Sequence, residues 1–294
     1  MTGHASEVSR GERFGFGDNW RLFLTSVDES RIAAACDALK HWLGVLDLEG
    51  RRFLDAGCGS GLSSLAACRL GATVVSFDYD PASCACTREL RERFGGPNPP
   101  WTVSEGSVLD PEFLSALGTF DVVYSWGVLH HTGAMWNALD LVARRVGPEG
   151  VFFVALYNDQ GRPSRHWLKV KRAYNALPTR LRFLVLWPSF AVLWGKTFAI
   201  ETLRGHPGRA WREYARTSRG MSPWRDVVDW VGGLPFEVSR PEEVLDRLRP
   251  CGFTLLRLKT WGGGLGCNEF VFERQAPAAS ANNASNAATA RSNP

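Results

Sequence analysis

Short apolar segments alternate with amphipathic ones through the first half of this chain, and this alternation limits its fold more than any other feature. The strand-like segments are 51–57, 72–78, 101–107, 120–126 and 150–158. The helix-like segments between them are 63–71, 81–94, 111–118 and 132–147. Strands joined through helices lie parallel, with right-handed crossovers. The pattern therefore predicts an α/β fold with a doubly wound parallel sheet.

Other segments flank or interrupt this core. Residues 1–50 are predicted to form an N-terminal helical segment over the site, with a helix at 31–46 capped by Asp28 or Ser30. Residues 51–158 form the core, and 159–240 interrupt its rhythm as a helical cap insertion. Residues 241–274 resume it, with a helix over 241–253 and strands at 253–261 and 268–274. Residues 275–294 are small and polar, which predicts a disordered tail.

Composition excludes several classes of protein. With 45% hydrophobic and 22% charged residues, the 294-residue chain is neither disordered, collagen-like nor a disulfide scaffold. The net charge of +4 comes without a long Lys/Arg block, so no nucleic-acid partner is expected. Residues 1–20 lack the apolar core of a secretory signal, and the seven cysteines are scattered. This indicates reduced thiols in the cytoplasm, and no metal site is predicted.

A glycine-rich turn follows the first predicted strand. Gly57, Gly59 and Gly61 lie between that strand and a helix, and Asp78 ends the next strand. Such a loop lets the backbone approach a ligand, and the carboxylate can accept hydrogen bonds from ribose hydroxyls. By itself the loop is also compatible with a bare structural turn or an NAD enzyme. The chain lacks the Tyr-x-x-x-Lys pair of short-chain dehydrogenases, which disfavours NAD.

Four segments in order make the pattern more specific: FLDAGCGSG, VVSFDYDP, GSVLD and FDVVYSWGVLHH. Together they resemble the class I S-adenosylmethionine-dependent methyltransferases, and LHH looks like the small-molecule branch that includes the ubiquinone and menaquinone enzymes. The resemblance implies a Rossmann-like sheet of seven strands, with strand seven antiparallel beside strand six. It also implies methyl transfer to a small molecule, with oxygen favoured. The alternatives are a protein or nucleic-acid methyltransferase and a catalytically silent cofactor-binding module.

The resemblance assigns cofactor contacts residue by residue. Backbone N–H groups of the loop would face the carboxylate of S-adenosylmethionine, and Asp55 would face its ammonium group. Asp78 would bind the ribose and Tyr79 the adenine, while Ser107 stands where many members have an acidic residue. Ser125 and Trp126 would lie near the methyl group. The full predicted cofactor set is Asp55, Gly57, Cys58, Gly59, Gly61, Asp78, Tyr79, Ser107, Val108, Ser125 and Trp126.

His130 and His131 are the candidate catalytic bases, although one of the pair is expected to pack or cap the next helix. The resemblance puts His131 ahead, because the family's single histidine at this motif aligns there. An imidazole with an ordinary pKa would make activity fall below about pH 6. Tyr157, Asn158 and Arg165 follow the fifth strand and should face the acceptor. Phe14, Phe16 and Trp20 are expected either to fold over the cofactor or simply to pack.

The insertion carries two further features. Its first part is basic, through Arg165, Lys169, Lys171, Arg172, Arg180 and Arg182, which suits either an anionic acceptor or a solvated helix face. Residues 183–195, FLVLWPSFAVLWG, are apolar but too short to span a bilayer. They are predicted to form a buried helix of the cap or a dimer surface, and a membrane-contacting patch is the alternative. The sequence leaves the oligomeric state open.

Overall fold

The computed structural model describes residues 3–218, 220–262 and 264–276. The predicted tail at 275–294 therefore lies outside the described residues from 277 onward. A single mixed sheet runs through the molecule in the order β3-β2-β1-β4-β5-β7-β6. Its strands are β1 Arg52–Ala56, β2 Thr73–Asp78, β3 Trp101–Glu105, β4 Phe120–Trp126, β5 Val146–Tyr157, β6 Phe253–Lys259 and β7 Cys267–Arg274.

The strand directions match the predicted fold. Strands β1 to β5 pair in parallel, and β7 runs antiparallel to both β5 and β6. Neighbouring strand residues point to opposite faces of the sheet. Leu54 and Phe152 enter the apolar core on one face, whereas Phe53 and Phe153 enter the core on the other. Both faces of the sheet are thus covered, as a doubly wound sheet requires.

Twelve α-helices lie in the described residues. The N-terminal and core helices are α1 His4–Ser9, α2 Phe16–Leu24, α3 Glu29–Leu43, α4 Leu62–Arg69, α5 Pro81–Phe94, α6 Pro111–Ala116 and α7 Met135–Ala143. The later ones are α8 Arg162–Ala176, α9 Phe183–Leu203, α10 Arg209–Thr217, α11 Pro223–Gly232 and α12 Pro241–Leu248. Asp28 caps α3 as expected, because its side chain accepts the Arg31 N–H at 2.9 Å.

Two helices are shorter than predicted. Helix α7 begins at Met135, not residue 132, because Gly133 adopts a φ of +78° and interrupts the helix there. Its first N–H group, on Met135, is capped by the Glu237 carboxylate at 3.1 Å, a partner about a hundred residues away that no local pattern reveals. Helix α12 ends at Leu248, and Pro250 lies in a separate turn of 3-10 helix at Arg249–Cys251.

Helix α9 contradicts the prediction of a buried cap helix at 183–195. It is longer than predicted, and Ser189 is its only buried residue. Among the described residues it is the one helix long and apolar enough to cross a membrane. The basic start of the insertion is mixed in character, since Arg165, Lys169 and Arg172 are exposed but Lys171 is fully buried.

Candidate active site

A cavity of about 1290 Å³ opens at the carboxyl ends of β1, β2, β4 and β5. This is the edge at which open α/β sheets bind ligands. Its volume exceeds the roughly 300–1,000 Å³ of a pocket for one drug-sized ligand. Nine of the predicted cofactor residues line it: Asp55, Gly57, Cys58, Gly59, Asp78, Tyr79, Ser107, Val108 and Trp126. The cavity can therefore hold two molecules side by side.

The glycine loop is held in a left-handed conformation. Gly57, Gly59 and Gly61 have φ values of +88°, +54° and +81°. A Cβ on Gly57 would lie 2.3 Å from the Val128 side chain, and one on Gly59 would lie 2.9 Å from the Trp20 indole nitrogen. The glycines are thus required by protein packing as well as by backbone conformation. From the sequence, these glycines were expected for a different reason, namely to let the backbone approach a ligand.

Four of the loop N–H groups donate hydrogen bonds within the protein. Those of Gly57 and Cys58 both donate to the Phe77 carbonyl, at 2.9 and 3.0 Å, and that of Gly61 donates to Cys58. The Gly59 N–H donates to the Asp78 carboxylate at 2.9 Å. Three of these bonds hold the loop to the end of β2 and the fourth closes the loop on itself, so these four groups do not point at a ligand carboxylate.

Asp55 and Asp78 are the two carboxyl groups at the floor of the cavity. The Ser64 hydroxyl donates to Asp55 at 2.5 Å, and burial raises the pKa of Asp55 to about 7. Asp78 accepts the Asp80 N–H at 2.9 Å as well as that of Gly59, and burial raises its pKa to about 6. A cationic ligand would favour ionisation of Asp55. The free lone pairs of Asp78 suit a diol.

The remaining cofactor candidates divide into lining and supporting groups. The Ser107 hydroxyl accepts the Leu109 N–H at 3.1 Å and keeps its own proton for a ligand. Cys58 accepts from Thr87, and a side-chain hydrogen bond with Cys84, together with burial, raises its thiol pKa well above the usual value, which disfavours a nucleophile. Ser125 is buried and donates to the Ala56 carbonyl at 2.9 Å, so it ties β4 to β1. Neither Ser125 nor Gly61 is among the cavity-lining residues.

The two histidines have different surroundings. His131 lines the cavity, and its Nδ1 lies 2.6 Å from the Pro235 carbonyl oxygen. Since that contact requires a proton on Nδ1, Nε2 is the unprotonated nitrogen. Burial, with the charge of Lys171, lowers the pKa of His131 to about 3. His130 is fully buried, accepts the Tyr157 N–H at 3.2 Å and stacks on the Tyr157 ring, away from the cavity.

The three residues predicted to contact the acceptor lie in different places. Tyr157 lines the cavity, but Asn158 and Arg165 do not. Asn158 is buried, and its amide donates to the carbonyls of Gly262 and Gly264 at 2.6 and 3.2 Å. It positions the glycine-rich turn before β7. Arg165 is exposed on α8. Both predictions assumed that residues just after β5 follow the cavity, whereas the chain turns away after Tyr157.

Several lining residues come from segments that local motifs do not identify. Trp230 and Asp229 come from α11, and Glu269 comes from β7. Asp229 accepts from the Asn19 amide at 2.7 Å, and burial raises its pKa well above the usual range. The high Trp content was the one available signal, because Trp42, Trp194, Trp230 and Trp261 all line the cavity.

The aromatic side chains that line the cavity, which we call the aromatic wall, include Tyr157 and Trp230. Lys171 packs behind these two rings. Its Nζ donates to the Trp230 carbonyl and lies 4.8 Å from the Trp230 ring centroid and 5.5 Å from that of Tyr157. Burial lowers its pKa to about 7. The lysine therefore fixes two lining rings without reaching the cavity itself.

The N-terminal residues close one side of the cavity. Phe16 and Trp20 line it, as one of the two sequence interpretations held, whereas Phe14 packs in a separate apolar cluster. Arg13 donates to the His131 carbonyl at 2.8 Å and to Glu7 at 2.7 Å, and its guanidinium lies 5.1 Å from the Tyr79 ring. The Gly17 N–H donates to Asp80 at 2.8 Å. These contacts join α1 and α2 to the ends of β2 and β4.

Comparison with known proteins gives the same picture of the core. Residues 54–152 match the model of a methyltransferase domain. A ubiquinone biosynthesis O-methyltransferase from Rhizobium etli is 34% identical over 111 residues, which are 38% of this chain and 43% of that protein. The chain thus spans less than half the length of the curated relatives it matches. A ribosomal protein L11 methyltransferase from Photorhabdus laumondii is 46% identical over 56 residues, 19% of each chain.

Among solved structures, the magnesium protoporphyrin IX methyltransferase of Synechocystis PCC 6803 with bound SAH is similar in fold. The TM-score is 0.51 at 14% identity, over 88% of this chain and 94% of that one. At this identity the likeness concerns the fold alone. The matched methyltransferase domain, residues 54–152, contains the glycine loop.

Proposed function

Because residues 54–152 match the model of a methyltransferase domain, we propose that this protein is a class I S-adenosylmethionine-dependent enzyme that transfers a methyl group to a small-molecule acceptor, at oxygen. The observation that carries the proposal is the continuity of one cavity. Asp55, Asp78 and Ser107 lie at one end, and His131, Tyr157 and Trp230 line the same space. Cofactor and acceptor can therefore meet without either leaving its site.

The residues present fit S-adenosylmethionine. Asp55 is a buried carboxyl with a raised pKa, and an ammonium group would compensate the cost of its charge. Asp78 would accept hydrogen bonds from the ribose hydroxyls, and the Ser107 hydroxyl would reach the adenine. The Arg13 guanidinium lies over the Tyr79 ring and His4 packs edge to face against it, which holds the ring at the cavity wall beside the adenine position.

The protein has to supply orientation more than chemical activation. When bound, S-adenosylmethionine would supply an electrophilic methyl group, and its transfer would form an O–CH₃ bond while the S–CH₃ bond breaks and its electron pair returns to sulfur. Trp126 and Tyr157 form the wall along which the acceptor must lie, and holding it in line contributes up to about 7–11 kcal/mol. We assign no covalent step to Cys58, since its thiol stays protonated.

His131 is the group that we propose contacts the acceptor hydroxyl. Its Nε2 lone pair can accept the hydroxyl hydrogen bond and direct an oxygen lone pair toward the methyl. A nitrogen with a pKa of about 3 is a weak base, so His131 orients the oxygen, and the hydroxyl proton leaves to solvent as the O–CH₃ bond forms. His130 is assigned a structural role beneath Tyr157.

The aromatic wall supports a small, largely apolar acceptor over a protein or nucleic acid. Trp194, Trp230 and Trp261 belong to segments beyond the matched domain, and they surround the acceptor end. We propose that residues 159–240 act as the substrate cap. A cytoplasmic location is also proposed, because all seven cysteines are free thiols.

Turnover tests the proposal directly. The purified protein is incubated with methyl-labelled S-adenosylmethionine and fractionated cell metabolites, and both S-adenosylhomocysteine and labelled product are measured. We expect label in an organic-soluble fraction, with a product stable to mild base as an ether is. Cofactor binding by calorimetry without turnover in any fraction would favour the silent binding module. Label in macromolecules would favour the protein or nucleic-acid alternative.

A further inference from the structure

Helix α9 presents an apolar face to solvent along its whole length. Leu184, Trp187, Val192 and Leu203 are 55%, 56%, 71% and 88% exposed. These four side chains, which we call the α9 outer face, lie along a helix of 21 residues, about 30 Å long. Apolar surface that is contiguous on this scale marks an interaction site.

The opposite face of α9 is packed against protein. Phe190, Leu193 and Trp194 contact the apolar cluster built around Trp167, Val227 and Val231 of α8 and α11. A membrane-spanning helix would instead need lipid or other spanning helices around it. Helix α9 is therefore arranged to lie along a surface, with one face on the protein and the other available to a partner.

Positive charge concentrates around this helix. Residues 180–216 contain seven Lys/Arg and two Asp/Glu, a net charge of +5, whereas the whole chain carries +4. Both acidic groups are engaged within the segment, because Glu213 pairs with Arg209 at 3.2 Å and Glu201 accepts the Ala210 N–H at 2.7 Å. The cations include Lys196 on α9 and Arg204 at its end, both exposed.

We propose that the α9 outer face docks on a membrane surface that contains anionic lipid. Apolar side chains flanked by Lys and Arg, with an exposed Trp, are the features of a helix that lies in the lipid interface. A second copy of the chain is a poorer partner, since pairing would bring two segments of charge +5 together. Val192, Leu193 and Trp194 also line the cavity, so docking places the cavity wall at the lipid surface.

Vesicle sedimentation tests the docking, and it does not depend on methyl transfer. The protein is mixed with vesicles of phosphatidylcholine plus phosphatidylglycerol, or of phosphatidylcholine alone. We expect binding to the anionic vesicles that weakens with added salt. The pair Leu184→Glu and Trp187→Glu should lower the partition coefficient about tenfold or more. The matched control is Leu46→Glu, which changes a 90% exposed leucine outside the segment and should bind like wild type.

Three results would overturn the proposal. The first is no binding of the wild type to anionic vesicles. The second is equal binding by the double variant and by Leu46→Glu. If the first pair of substitutions lowers the melting temperature, the pair Val192→Glu and Leu203→Glu replaces it in this comparison. The third is a dimer, detected by light scattering, that the double variant dissociates, which would make the α9 outer face an interface between copies.

Discussion

Asp55 and Asp78 are neighbours in the cavity, yet each has a different set of partners. Asp55 receives a single side-chain hydrogen bond from Ser64, whereas Asp78 receives two backbone N–H groups. Hydrogen bonds to the charged form offset part of the burial, which is why the pKa of Asp78, about 6, lies below that of Asp55, about 7. Of these two carboxyl groups, Asp55 therefore has the pKa closer to neutral pH.

The pH dependence of the reaction should come from the ionisation of Asp55 and not from that of His131. Below about pH 7 the Asp55 carboxyl is protonated and cannot pair with an ammonium, so kcat/KM for the cofactor should fall as the pH decreases through 7. At saturating cofactor, kcat should stay level down to about pH 5, because the pKa of His131 is about 3. Steady-state kinetics across this range separate the two parameters.

Asp55→Asn provides the matched test of that assignment. It should raise KM for the cofactor and remove the inflection near pH 7, whereas Asp18→Asn, an exposed carboxylate outside the cavity, should change neither. A fall in kcat near pH 6 that survives in Asp55→Asn but disappears in His131→Ala would contradict this view. It would restore the base with an ordinary pKa that the sequence predicted.

At the scale of elements, the glycine loop and α2 form one packed unit. Trp20 of α2 lies over Gly59, and the Gly17 N–H bonds to Asp80 at the start of α5. The strand-loop-helix pattern predicted the loop itself, since its residues are contiguous. The position of α2 depends on contacts between distant segments, since Gly17 and Asp80 are 63 residues apart, and so no local pattern could locate Trp20.

Gly59→Val should damage this unit beyond the cost of its backbone conformation. A left-handed residue other than glycine costs about 1–2 kcal/mol. At Gly59 a side chain would also displace Trp20, so we expect a larger loss of unfolding free energy together with weaker cofactor binding. Denaturant unfolding and calorimetric titration measure the two effects.

Gly44→Val is the control for that experiment. Gly44 ends α3 with a similar φ of +70°, and nothing lies within 4 Å of its Cβ position. It should show the backbone cost alone and leave cofactor affinity unchanged. Equal losses in the two variants would mean that Trp20 moves aside without cost.

Over the whole molecule, the sequence predicted what is local and periodic, and it failed where distant segments meet. The five parallel strands follow from their apolar runs, and the antiparallel β7 follows from the family resemblance. The acceptor wall combines Tyr157 of β5 with Trp230 of α11 and Trp261 before β7. Arg165 was predicted to join it because it lies close in sequence, but its place on the outer side of α8 depends on how α8 packs.

Because different residues form the acceptor wall and the proposed cofactor site, changes in the wall should affect acceptor turnover and cofactor binding separately. Tyr157→Ala should lower acceptor turnover by about 1–3 kcal/mol of transition-state free energy, because it removes a ring from the wall, with cofactor affinity nearly intact. Arg165→Ala should leave both quantities unchanged, since the side chain is exposed and outside the cavity. Initial rates and calorimetry on the two variants decide this. Equal loss of turnover and cofactor binding in Tyr157→Ala would show that the wall holds up the whole site.

The position of the first two helices affects the rate of any catalytic cycle. Arg13, Gly17 and Trp20 fasten the N-terminal residues across the ends of β2 and β4, over the place proposed for the cofactor. A nucleoside-sized molecule then enters or leaves when these contacts open. Such opening takes microseconds to milliseconds in enzymes with closing segments, and it often sets the maximal rate. The maximal catalytic rate of this protein would then be set by the release of the demethylated cofactor.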